Sequence, residues 1–187
     1  MAPAARILVI AGASAPDSPA SLAAAALARE LAFLDVAVRF VSLADYPLPL
    51  HDADRPEAVP PAAQRLRDLL GLSDAVFLAA AGTAGTLPAV ARNLLEWLAP
   101  APADTPGPAL ALAATGENEA DAAATLAELE HAAHRLLGQS AVASLAIGHA
   151  NVVFDARGRI TDARVAVALQ RLARSLAEAG QRLAEDN

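Results

Sequence analysis

The chain contains no cysteine and no lysine. The first absence excludes disulfides, thiolate metal sites and thiol nucleophiles. The second excludes Schiff-base chemistry and the phosphate-binding lysine of a P-loop, since all 14 basic residues are arginine. More than half the residues are apolar, yet no uninterrupted apolar run approaches the ~18 residues that cross a bilayer. The formal charge of −7 argues against nucleic acid and anionic membrane as partners. Residues 1–15 have the outline of a signal peptide, with Arg6, a short apolar run and Ala13-Ser14-Ala15. That run serves better as a first strand, so a cytoplasmic location is expected.

With 187 residues the chain fits a single domain over its whole length, 1–187. The stretch that organises it is residues 73–98, SDAVFLAAAGTAGTLPAVARNLLEWL. Its first part is an apolar run without period-2 alternation, which reads as a strand covered on both faces of a parallel sheet. A loop of small residues follows, Ala81-Gly82-Thr83-Ala84-Gly85. Thr86 is placed to cap a helix with Pro88 in its first turn. Leu87, Val90, Ala91, Leu94, Leu95 and Leu98 share one face of that helix.

The same alternation runs through the chain. Residues 6–11 (RILVIA), 36–43, 75–80, 109–114 and 141–147 read as strands. Between them lie helices starting at Ser18-Pro19 and running to about Leu34, at Pro60-Pro61 and ending at Gly71, and over residues 119–137, ending at Gly138. Residues 43–54 carry too many prolines to be regular, and residues 100–108 read as a surface loop. The last helix turns Val165, Leu169, Leu172, Leu176 and Leu183 inward. Five strands alternating with five helices predict an α/β doubly wound parallel sheet.

Three segments carry a resemblance. Residues 74–97 match, without a gap, the Ala-Asp, strand, Gly-Ser, Pro, Leu-Lys-Asn, Asp-Trp run of the NADPH-dependent FMN reductase family at Asp74, Gly85, Pro88, Asn93 and Trp97. Residues 43–54 resemble its Leu-x-Asp-Tyr-x-Leu-Pro run, and residues 153–162 its Phe-Asp-x-x-Gly turn. The resemblance implies a flavodoxin-like three-layer sandwich with strand order 2-1-3-4-5, FMN as cofactor, NAD(P)H as co-substrate, a small-molecule substrate and a homodimer or homotetramer. The helix face bearing Arg92, Asn93 and Glu96 is the one related proteins use for dimerisation, which makes Trp97 a packing or interface residue.

In that strand order the ligand sits where the order reverses, beside strands 1 and 3. The resemblance thus makes Gly12, Ser14, Ser18 and Ser21 of the first loop, Gly82, Thr83, Ala84 and Gly85 of the second, and Thr115 and Gly116 of the third the cofactor-binding candidates. No side chain is expected to act as acid or base, because a flavin carries the hydride chemistry itself. The departures are specific. Ala15 and Ala20 replace the Arg and Asn of the family's phosphate loop, and Ala81-Gly82-Thr83-Ala84 replaces its Pro-Glu-Tyr-Asn. Pro19 lacks an N–H, and Asp17 adds a carboxylate. They leave two other readings open, a homologue that keeps the fold as a partner-binding module and a pocket for another small ligand. His131 and His134 are three apart, but Glu130 and Arg135 beside them mark a solvated face, and no metal is expected. His149 reads as a loop histidine.

Overall fold

Apolar runs become five strands: β1 (Ala5–Ala11), β2 (Val36–Ser42), β3 (Ala75–Ala81), β4 (Ala109–Thr115) and β5 (Ala143–Ile147). They form one sheet of order β2-β1-β3-β4-β5, and every pair is parallel. This computed structural model describes residues 4–54, 58–99, 107–155 and 157–186; most of the expected 100–108 loop lies outside them. The helices are α1 (Pro19–Leu31), α2 (Pro61–Gly71), α3 (Ala89–Leu98), α4 (Glu119–Leu137), α5 (Ala150–Val153) and α6 (Ala163–Asp186). The single turn α5 is an addition to the five helices expected.

Side-chain alternation on the covered strands splits the interior into two layers. Val9, Phe77, Ala79 and Ala113 meet α1 and α6, where Leu27, Leu169, Leu172 and Leu176 are buried. Leu8, Ile10, Leu78 and Leu112 meet the other side, where Leu66, Leu94, Leu98 and Leu129 are buried. Small residues let the helices approach closely. A Cβ on Gly180 of α6 would come within 3.0 Å of the Ala75 Cβ.

Some helix boundaries match those expected and others differ. Helix α1 begins where Ser18 caps it, with Pro19 first, but ends at Leu31 rather than near Leu34. Gly138 closes α4 in the left-handed region, φ 69°. Helix α2 ends at Gly71 as expected, but without a left-handed glycine: Leu72 follows as its C-cap in a right-handed conformation. The Ser73 hydroxyl donates to the Leu69 carbonyl (2.7 Å) and so meets one orphan acceptor of that helix end. Helix α3 is not capped by Thr86. Pro88 is its N-cap at φ −60°, ψ 141°, because the residue before a proline is held out of the helical region and the helix starts only after it. Val90, expected to face inward, is 39% exposed in the first turn of α3.

Trp97 is a packing residue within its own chain. Its indole N–H donates to the Pro49 carbonyl (2.7 Å) and its ring meets His51 edge-on at 4.8 Å. Asn93 fixes the same strap, donating to the Pro49 carbonyl (2.9 Å) and accepting from the His51 amide (2.7 Å). The proline-rich run 46–51 is therefore pinned to the outer face of α3 by two of the residues that match the family.

Candidate functional site

The carboxyl ends of β1, β3 and β4 lie side by side, as the register Ala11↔Ala79 and Ala81↔Thr115 requires. The three loops leaving them therefore meet, and all ten candidate residues stand in or at the roots of these loops. What each contributes is less than the sequence offered. The Gly12 amide donates to the Ala79 carbonyl (2.8 Å), that of Gly82 to the Thr115 carbonyl (2.8 Å) and that of Gly116 to the Ile147 carbonyl (3.0 Å). These glycines extend the sheet ladder by one residue, so their N–H groups are not available to a ligand. Their missing side chains serve close packing. A Cβ on Gly12 would lie 2.5 Å from the Ala79 carbonyl oxygen, one on Gly116 would lie 2.5 Å from the Ala122 nitrogen, and one on Gly82 would overlap the Thr125 hydroxyl.

In the first loop the hydroxyls are likewise engaged. Ser18 Oγ accepts from the Ser21 amide (3.1 Å) and donates to Ser21 Oγ (3.0 Å), and Ser21 Oγ donates to the Ala15 carbonyl (2.7 Å). Ser21 is buried. Both serines hold the loop against the start of α1; of the three serines expected as donors, Ser14 alone is exposed. The Ser18 cap, legible in the sequence, is the reason that Ser18 is not a free donor.

In the second loop Thr83 and Thr86 face each other, with the Thr86 amide and hydroxyl both donating to the Thr83 carbonyl (3.1 and 2.8 Å). Between them Ala84 (φ 51°) and Gly85 (φ 73°) are both left-handed. Two positive φ values mark a type I′ turn, which favours Asn-Gly. Alanine in that conformation costs about 1 kcal/mol, whereas asparagine adopts it readily. Ala84 is exposed, so Ala84→Asn should raise unfolding stability by about 0.5–1 kcal/mol. A midpoint of chemical unfolding that stays level or falls would show that the turn is not strained. The turn leans on α4, where Glu128 accepts from the Leu87 amide (2.7 Å).

The third loop enters α4 through Asn118, whose side chain accepts from the Asp121 amide (2.9 Å) and donates to the Asp121 carboxylate (2.8 Å). Glu119 and Asp121 occupy the first turn and complement its dipole. Thr115, at the end of β4, is fully buried and its hydroxyl has no partner among the described residues. The sequence suggested Thr115 only by position; an orphaned hydroxyl there is a structural finding. Thr125, which has the same feature and which sequence reading passed over, fills the space beside Gly82.

For a flavin the fit is divided. In the second loop the exposed Thr83 and Ala84 are uncharged and suit a flat neutral ring, whereas Asp17 of the first loop and Glu117 and Glu119 of the third are exposed carboxylates. The start of α1, where a phosphate would lie, offers a dipole but no cation and no free side-chain donor from Ser18 or Ser21. A cavity of about 870 Å³ lies at the opposite end of the sheet among Arg6, Asp74, Leu98, Leu110 and Leu136. Ligands of doubly wound sheets bind at the carboxyl ends of the strands, so that cavity is not the flavin site. Among the described residues no three metal-ligating side chains come together, and His131, His134 and His149 are exposed. No helix of the described residues is long and apolar enough to cross a membrane.

Comparison with known proteins fits this geometry. Paracoccus denitrificans FerB, a flavoenzyme NAD(P)H:(acceptor) oxidoreductase, superposes with a TM-score of 0.72 at 22% identity, over 95% of this chain and 98% of its own. The apo form of the NADH:FMN oxidoreductase EMOB gives 0.65 at 19% identity, over 93% of this chain and 89% of its own. An oxidoreductase from Corynebacterium diphtheriae gives 0.61 at 19% identity, over 94% and 96%. At these identities the likeness concerns the fold. No curated protein matches the sequence. The family model for NADPH-dependent FMN reductase matches residues 5–152, which takes in all three loops, and the chain accordingly belongs to that family of flavin-dependent NAD(P)H oxidoreductases.

Proposed function

We propose that the chain passes electrons from a reduced nicotinamide, through flavin held at the carboxyl ends of β1, β3 and β4, to a second flavin, a quinone or a similar small acceptor. The observation that carries this reading is the convergence of the three family loops at the point where the strand order reverses, with the uncharged, exposed Thr83–Ala84 turn at its centre. Flavin, when bound, supplies the hydride-accepting chemistry. The chain's own part is to seat it. Ser14 and the Thr83–Gly85 turn line the opening, Gly12, Gly82 and Gly116 bring the strand ends close enough to form it, and the Thr115 hydroxyl lies beneath. No side chain of these loops is assigned as a proton donor or base. A homodimer or homotetramer is the assembly this reading carries, with sedimentation as its check.

A second reading is favoured by the internally bonded Ser18 and Ser21: a homologue that keeps the fold and has given up flavin for a partner-binding role. The visible spectrum of the purified protein, before and after adding FMN or riboflavin, separates the two. Perturbed flavin absorbance together with flavin-dependent NAD(P)H oxidation supports the oxidoreductase. An unperturbed spectrum with both flavins, in protein that remains folded, removes it in favour of the second reading.

A further inference from the structure

Flavin mononucleotide presents a neutral ring system and, at the far end of its ribityl chain, a phosphate that is largely dianionic at neutral pH. We propose that this chain recognises the ring and ribityl chain alone and binds unphosphorylated riboflavin at least as well as FMN. The proposal rests on the flavin reading above and specifies what the site does with the phosphate.

Most of the groups that a phosphate would use at the start of α1 are engaged or missing. Anion sites at helix starts combine free N–H groups, hydroxyl donors and a guanidinium or ammonium. Here the first helical position is Pro19, without an N–H, and the Ser21 amide is held by Ser18 Oγ at 3.1 Å. The Ser21 hydroxyl is buried and donates to the Ala15 carbonyl at 2.7 Å. The Ser18 hydroxyl spends its proton on Ser21 Oγ at 3.0 Å. Gly12, at the base of the loop, gives its amide to Ala79. A phosphate that used these groups would have to break their bonds, and each one broken strands a loop or helix group.

Charge points the same way. Asp17 is the one charged side chain between Ala11 and Arg29, and it is exposed in the loop. Ala15 stands where the family carries its arginine. Arg29, in the last turn of α1, donates to the Gly158 carbonyl (2.6 Å), away from the helix start. Across the opening, Glu117, Glu119 and Asp121 stand at the start of α4. A dianion would therefore approach carboxylates with no facing cation among these groups. The terminal hydroxyl of riboflavin meets no such repulsion and needs no cation.

The test is the affinity of each flavin, read by fluorescence quenching on the intact wild-type protein and on the Ala15→Arg/Asp17→Ser variant. Both positions are exposed, so the variant keeps the native packing. Wild type should bind riboflavin as tightly as FMN or more so, and any deficit of FMN should shrink as salt is raised and Asp17 is screened. The variant should gain about tenfold or more for FMN, the order of one charge-assisted contact plus one repulsion removed. Its riboflavin affinity should stay within about twofold of wild type, on the scale of surface changes that touch no ligand. Wild-type FMN binding tenfold tighter than riboflavin would overturn the proposal, as would equal gains for both flavins in the variant. Absence of binding by either flavin, in folded wild type and variant alike, would instead defeat the flavin reading from which the proposal starts.

Discussion

Leu94→Ala is expected to cost about 2–5 kcal/mol of unfolding free energy, with a matching fall in the thermal midpoint. Leu94 is fully buried on α3 and belongs to the layer that also contains Leu8, Leu78, Leu112 and Leu129. It thus packs among side chains from three of the central strands and from α4, which limits how far the site can collapse when the side chain is removed. Cost rises with the volume left unfilled, so a residue locked on several sides falls in the upper part of that range. The comparison is Val90→Ala on the same helix. Val90 is 39% exposed, and its truncation should cost less than about 1 kcal/mol, because its environment is already half water. Chemical unfolding of both variants checks the pair. Equal losses would mean that α3 is not seated on the sheet as described. Because α3 follows the Thr83–Thr86 turn directly, Leu94→Ala should also loosen that turn, read as weaker flavin binding by the folded fraction.

Much of this architecture is legible in the residues, and the illegible part has a common physical cause. Strands β1, β3 and β4 are covered on both faces, so their sequences are nearly continuous apolar runs, and the runs mark each strand to within a residue. Edge strand β5 is half exposed and shorter, Ala143–Ile147 rather than 141–147. Its first two residues carry no signal that separates a strand from the loop before it. Gly71 and Gly138 look alike in sequence, each following an apolar helical pattern. Only Gly138 is left-handed, because at Gly71 the Ser73 hydroxyl supplies the closing bond instead. That choice depends on a side chain's direction, which spacing does not reveal.

The candidate site divides in the same way. The family resemblance and its strand order place its ten residues, and the sheet does bring their loops together. Their availability was not legible, because it depends on contacts across long separations. Gly82 is glycine to make room for Thr125, 43 positions on by the numbering, and Trp97 is anchored by Pro49, 48 residues earlier. Positive φ at Ala84 is likewise invisible in a run of alanine, glycine and threonine, although the Gly85 that follows is half of a type I′ signal. Position in a fold shows where a ligand would sit. Hydrogen-bond accounting shows what remains to hold it.

Asp74→Ala is expected to destabilise the chain by about 2–4 kcal/mol near neutral pH. Asp74 lies just ahead of β3, second in the organising segment, and is 3% exposed. Its carboxylate accepts three bonds from a single residue: the Arg6 amide (2.8 Å), Arg6 Nε (3.1 Å) and Arg6 Nη2 (2.7 Å). The amide bond ties β1 to β3 ahead of their ladder, and the Asp74 amide returns one to the Arg6 carbonyl (2.9 Å). Removing the carboxylate leaves the Arg6 N–H facing an unfilled site, and that loss sets most of the cost. The guanidinium contributes less, since the Arg6 side chain is 53% exposed and solvent screens it. Hydrogen bonding from Arg6 holds the Asp74 carboxyl below the usual carboxylate range, against the opposing effect of its burial. The sign follows from that lowering. The folded protein binds the proton less readily than the unfolded chain, so the contribution is complete above the unfolded value of about 4 and fades as pH drops through the folded one. The gap between wild type and Asp74→Ala should therefore be constant from about pH 5 to pH 8 and narrow below about pH 4. Urea unfolding across that range measures it directly. A gap that widened on acidification would require Asp74 to be protonated more easily in the folded chain, which the three donors from Arg6 do not allow.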